Sequence, residues 1–138
     1  MTVKPETNFW KSLKTSLEGG DYIVSRLESY VTPGFPDCLI FHNTTGFFTI
    51  ELKVLQSNNR ISITPFQIAW NTRHAVAGAR SYILVGGLSN DRVKLFHGCK
   101  SKELGHTDIY LVPGLYEGSI KDLDLSEVIS NSETPLCV

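Results

Sequence analysis

Apolar and polar positions alternate along the chain with two different periods, and the changes of period divide it into elements. In residues 5–20, Phe9, Trp10, Leu13 and Leu17 recur at helical spacing, and Gly19-Gly20 stops the run. This predicts a first helix over 5–20, with Lys11 and Lys14 off its apolar face. Tyr22, Ile23, Val24 and Leu27 predict a strand within 21–30, and Thr32-Pro33-Gly34-Phe35-Pro36 reads as a turn. Two apolar runs follow, residues 36–41 and 48–54. The turn-rich His42-Asn43-Thr44-Thr45-Gly46 joins them, which is the pattern of a hairpin.

After a polar loop at 57–60, Thr64-Pro65-Phe66-Gln67 opens a second helix. Thr64 is the N-cap, Pro65 fits the first helical position and Gln67 completes a capping box. Phe66, Ala69, Trp70 and Ala77 are the expected apolar face. Gln67, Asn71 and His74 form a polar line beside it, and Gly78 ends the helix. Residues 80–86 predict a strong strand. Residues 92–97 alternate as a half-exposed edge strand would, and 109–112 predict a short further strand. The remainder reads as polar and acidic, with one helical turn at 124–129. The order is helix, three strands, helix, two strands. It predicts an α/β fold in which a mixed sheet carries helices against it.

Charge changes this picture at one place. Strand side chains alternate faces, so Glu51 and Lys53 point the same way while Phe48, Ile50, Leu52 and Val54 point the other. The hairpin brings Asp37, at the start of the first run, beside them. Charges inside a fold are rare unless paired or metal-bound. Two carboxylates suit Mg²⁺, which takes hard oxygen ligands and keeps several waters. A lysine beside them can orient water or stabilise charge on a phosphoryl group. The bland alternative is a surface hairpin with a solvated Glu/Lys pair.

Pro36-Asp37 followed by Glu51-Leu52-Lys53 resembles the PD-(D/E)XK nuclease superfamily, and the order of elements extends that resemblance over roughly residues 5–97. The resemblance implies a restriction-endonuclease-like mixed sheet flanked by helices in α-β-β-β-α-β-β order. It implies a single nuclease domain over 1–112, leaving 113–138 as an acidic C-terminal extension packed on or trailing from it. In the Holliday-junction-resolvase-like branch a first-helix glutamate stands about thirty residues before the aspartate, and Glu6 matches by spacing. That branch also places a glutamine after Ser/Thr-x-x, and Gln67 matches. The chain is similar, too, to the small VRR-Nuc domains of phage and repair proteins, although Arg80-Ser81-Tyr82-Ile83-Leu84-Val85-Gly86 stands in place of their Val-Arg-Arg-like strand.

The resemblance implies a Mg²⁺-dependent, structure-selective endodeoxyribonuclease of the Holliday-junction-resolvase-like kind, with Mn²⁺ able to substitute, acting in replication, recombination or repair. Asp37, Glu51 and the Leu52 carbonyl would hold the metal, Lys53 would position water, and Glu6 and Gln67 would complete the site. Arg26, Arg60 and Arg73 are candidate phosphate contacts. The alternative is a non-catalytic module of the same fold that binds DNA ends or junctions. DNA is the expected partner, with no small-molecule cofactor. If the protein cuts both strands or resolves a junction, a homodimer is expected through apolar residues 109–112 and 115–116, because two related strands call for two related sites.

Composition leaves these expectations in place. With 138 residues, 41% hydrophobic and 20% charged, one intracellular globular domain is expected, in the cytoplasm, with a phage-infected bacterial host as one setting. No apolar run is long enough to span a membrane, and the first residues lack an apolar signal core. Cys38, Cys99 and Cys137 are too scattered for a disulfide framework or zinc site, and the four histidines lack metal spacing. Residues 1–100 carry 11 Lys/Arg against 7 Asp/Glu, and residues 101–138 carry 2 against 7. The acidic end is therefore expected away from the DNA face, and truncation before Lys121 is expected to leave DNA binding equal or tighter.

Overall fold

The expected hairpin is the centre of the sheet. In the computed structural model, which describes residues 5–27 and 32–132, strand β2 (Cys38–His42) turns through three residues into β3 (Gly46–Val54). The two pair antiparallel from His42↔Gly46 to Cys38↔Ile50. β1 (Tyr22–Arg26) adds antiparallel to the outer side of β2. Helix α1 (Pro5–Leu17) precedes it, and residues 28–30, which the sequence places in the first strand, lie outside the described residues. From β3 the chain crosses through α2 (Pro65–Val76) to β4 (Ser81–Gly86), which lies parallel to β3. β5 (Arg92–His97) and β6 (Tyr116–Ser119) complete a six-stranded mixed sheet in sequential order.

Alternation along the strands sorts the core into two layers. Phe48, Ile50, Leu52, Tyr82, Leu84, Val93 and Leu95 point to the side where α1 buries Phe9, Leu13 and Leu17. Ile83, Val85 and Phe96 point to the opposite side, against Ile61, Leu104, Ile109 and Val112. Burying such side chains stabilises the fold by about 1.5–3 kcal/mol each before entropy is counted.

After residue 90 the structure departs from the reading of the sequence in several places. β5 is not an edge: β6 pairs along it, and all of its residues but Arg92 are buried. Residues Ile109–Leu111 form a 3₁₀ turn capped by the Asp108 carboxylate, which accepts from the Tyr110 N–H, rather than a strand. The sixth strand is Tyr116–Ser119 instead, although its Tyr-Glu-Gly-Ser carries little apolar signal. The stretch 109–116 is also not a free apolar surface, since Ile109 and Val112 belong to the core and Tyr110 and Leu111 alone are large and exposed.

The acidic end joins the same core. Asp124 caps helix α4 (Leu125–Asn131) by accepting from the Glu127 N–H. Ile120, Leu123, Leu125 and Ile129 pack with α1 on the sheet. Thr45 and His42, at the hairpin turn, hydrogen-bond the Ser126 hydroxyl. The expectation that this segment can be cut away is therefore corrected. Among the described residues no helix is long and apolar enough to cross a membrane.

Deletion of residues 121–138 removes Leu123, Leu125 and Ile129 from the core. At about 2–5 kcal/mol for each large core side chain lost, this approaches the whole stability of a small domain. The truncated chain is expected to lose its cooperative thermal transition by circular dichroism. An unshifted transition would contradict the packing described.

Candidate active site

The hairpin register puts the two carboxylates face to face. Cys38↔Ile50 is the last ladder pair, so one step beyond it Asp37 comes opposite Glu51. The β2–β3 ladder ends there, before Leu52. The Asp37 carboxylate accepts from Leu52 N at 2.8 Å. The aspartate is thus fixed by the edge of the strand that carries the glutamate. A strand residue's N–H and C=O leave by the same edge, so the Leu52 carbonyl opens toward Asp37 as well. The turn before it is also fixed. Pro33 and Gly34 occupy the middle of a turn closed from Phe35 N to Thr32 O, and Gly34 has a φ of +83°. A Cβ on Gly34 would collide with the Phe66 carbonyl, so this loop rests directly on the first turn of α2.

α2 delivers the fourth side chain through the predicted capping box. Thr64 Oγ1 accepts from the Gln67 N–H at 3.1 Å, and Gln67 Oε1 accepts from the Thr64 N–H at 3.0 Å. The same Oε1 accepts from Lys53 Nζ at 2.8 Å, and Gln67 Nε2 donates to Glu51 Oε1 at 3.0 Å. The capping role and the site role are therefore one arrangement rather than competing explanations. Two donors on Oε1 also fix which way the amide points. Lys53 Nζ lies 4.0 Å from Glu51 Oε1, so the lysine is held by the amide more than by the carboxylate.

Glu51 is the electrostatic centre. Its side chain is 2% exposed. Burial, then the charge of Asp37 and a shared hydrogen bond with it, push its carboxyl up to about 9, against the opposing pull of Lys53. Two carboxylates this close cannot both stay ionised without a cation between them. When both are ionised, Glu51 Oε2 is buried with no hydrogen-bond partner among the described residues. An orphaned anionic oxygen beside a second carboxylate fits a divalent cation with oxygen preference. Among the described residues no three His, Cys, Asp or Glu side chains gather as metal ligands, so a cation here would keep several waters.

Glu6, Arg26, Asp37, Glu51, Leu52, Lys53 and Gln67 line one cleft of about 100 Å³. Glu6 sits on its rim, exposed in the first turn of α1, and adds negative charge felt by Glu51. Arg26, at the end of β1, lies over the Trp10 ring at 5.1 Å, a pairing the sequence did not suggest. Arg60 and Arg73 are exposed but do not line the cleft. A space of this size admits water and an ion but not a drug-sized ligand, which needs roughly 300 Å³ or more. A larger cleft of about 340 Å³ lies between α1 and the β4–β5 turn. Among the described residues its charged side chains, Asp91 and Arg92, are engaged with Lys121 and Glu117.

α2 faces opposite to its expected apolar stripe. Its buried residues are Asn71 and Ala75, in line with Gln67, whereas Phe66, Ala69 and Ala77 are exposed and Trp70 is half-buried. The reason is the hydrogen-bonded Gln67: turning Phe66 inward would pull the amide off Lys53 and Glu51. The aromatic residues of this helix are consequently displayed beside the cleft.

Folding raises the Glu51 carboxyl from 4.5 to about 9. Between those values the folded protein keeps a proton that the unfolded chain has lost, so stability falls as pH rises from about 5 to 9. Without divalent metal, unfolding of the wild type should lose up to about 1.4 kcal/mol per pH unit relative to Glu51→Gln in that window. Glu51→Gln should be the more stable protein at pH 8. Parallel urea-derived stability curves for the two proteins would contradict this account of the site.

No family model, curated protein or solved structure matches this chain, so its chemistry rests on the residues themselves.

Proposed function

We propose that the chain is a metal-dependent deoxyribonuclease of the PD-(D/E)XK kind that cuts DNA phosphodiester bonds by hydrolysis. The observation that carries this reading is the meeting of Asp37 and a buried, half-unsatisfied Glu51 beside a lysine held by Gln67, in one small cleft. The restriction-endonuclease-like fold assignment belongs to the same proposal. Its support is the three-strand meander after α1 and the crossing through α2 to a parallel fourth strand.

Asp37, Glu51 and the Leu52 carbonyl would hold Mg²⁺. A bound divalent ion supplies positive charge against phosphate oxygens and acidifies water. The remaining work falls to the chain. Lys53 places an ammonium where charge develops on the phosphoryl oxygens as water adds to phosphorus and the bond to the sugar oxygen breaks. Gln67 keeps that ammonium on the cleft side and leaves it two further protons to donate. Arg26, braced on Trp10, meets a phosphate at the rim. The open mouth suits a polymer lying across it with one phosphate dipping in. A purely structural role fits poorly, because a buried carboxylate with one oxygen unsatisfied and a second carboxylate beside it costs stability.

Purified protein with Mg²⁺ or Mn²⁺ and a panel of paired, single-stranded and branched DNAs tests the proposal. Wild type should cut at least one of them and stop in EDTA. Asp37→Asn should abolish cutting. Lys53→Met should slow it by about 10²-fold or more while retaining metal binding. Gln67→Ala should lose rate together with roughly 1 kcal/mol of stability from the cap. Cutting that persists in Asp37→Asn would overturn the mechanism.

A further inference from the structure

The displayed face of α2 is an aromatic shelf with a basic end. Phe66 is 62% exposed and Phe35 39% exposed. Trp70, one turn beyond Phe66, stacks on His74 at 3.7 Å and meets the Phe35 ring at 5.5 Å. His74 Nδ1 is engaged by the Trp70 carbonyl at 2.7 Å, so Trp70 and His74 brace each other. Arg73 is exposed on the same stripe, and α2 contains no acidic residue. Large rings left in water cost solvation free energy that a structural role would have recovered by burial.

Both sources of this shelf are also sources of the cleft. Phe35 stands two residues before Asp37, and Phe66 stands one before Gln67. Gly34 packs on the Phe66 backbone, so the two segments are locked to each other. Phe66 and Gln67 are consecutive residues in the first turn of α2, so the shelf borders the cleft. Exposed aromatic faces combined with an arginine, beside a site that takes a phosphate, match the way single-stranded nucleic acid is held. Bases stack on the rings while the cation meets the backbone.

We infer that Phe66 and Phe35, backed by Trp70 and His74, stack an unpaired nucleobase adjacent to the phosphate in the cleft. The substrate class is then DNA with a single-stranded arm or splayed base at the cut, not uniform duplex. This rests on the nuclease reading of the cleft. A stacked base cannot come from within an intact duplex without the cost of unpairing, so the shelf selects for structure without reading sequence.

The test is binding of the full chain to a blunt duplex and to the same duplex with a single-stranded arm carrying 2-aminopurine, with EDTA present so that no strand is cut. Wild type should prefer the armed duplex and quench the fluorophore. Phe66→Ala should weaken armed binding about tenfold, within the range of one lost base–aromatic stack, and should abolish the quenching. Blunt-duplex binding should change by less than about twofold, and Phe66→Trp should restore the preference. Phe35→Ala serves as a second variant should Phe66→Ala fail to fold. Wild-type affinity and quenching retained in both alanine variants overturn the inference, and if wild type still cuts DNA the nuclease reading survives. Wild type that neither binds nor cuts either DNA overturns both. Variants that alter only the oligomeric state by light scattering assign the shelf to contact between copies and overturn it as a base platform.

Discussion

One side-chain amide ties the site to the fold. Gln67 accepts from the Thr64 N–H and from Lys53 Nζ, and donates to Glu51 Oε1. It therefore caps α2, orients the lysine and partners one oxygen of the buried glutamate. The contacts to Lys53 and Glu51 are partly buried, so leaving either unmade costs more than an exposed hydrogen bond contributes. The rotation of α2 about its own axis follows from them. With Gln67 inward, Asn71 and Ala75 follow it into the protein and the aromatic residues face out.

The same arrangement carries an energetic cost that the rest of the fold offsets. A buried carboxylate opposite another carboxylate opposes folding unless it is protonated or meets a cation. The layer of Phe48, Ile50, Leu52, Leu84 and Leu95 on the far side of the sheet, with α1 and α4 upon it, supplies the compensating burial. This explains why the acidic C-terminal residues are integral. α4 closes the layer over the hairpin, and its Ser126 is bonded by Thr45 and His42 at the turn that sets the register of Asp37 against Glu51.

Much of this could be read from the sequence where a local rule has a single outcome. The period-two alternation of residues 46–54 and the short turn before it give the hairpin, and the hairpin gives the meeting of Asp37, Glu51 and Lys53. The Thr64-to-Gln67 cap was equally legible, and both its hydrogen bonds are present. The orientation of α2 was not, because hydrophobicity alone predicts that Phe66 and Trp70 turn inward, while the hydrogen bonds of Gln67 decide otherwise. The partner of β5 was hidden for a different reason. Tyr116–Ser119 is short and polar, and it is held by the backbone of β5 and by Glu117 beside Arg92 and Lys94 rather than by an apolar pattern. Ile109–Leu111 looked like a strand because its residues are β-formers, yet the Asp108 cap bends them into a turn that drops Ile109 into the core.

The central claim is that Glu51 and Asp37 form a site completed by a divalent cation, and proton release reports on it most directly. With the Glu51 carboxyl at about 9, the metal-free site holds a proton at pH 7.5 that a bound cation must displace. Titrating weakly buffered protein with MgCl₂ should release close to one proton per chain, saturably, and Glu51→Gln should release none. A wild-type titration with no Mg²⁺-dependent proton release, or one unchanged in Glu51→Gln, would contradict the account.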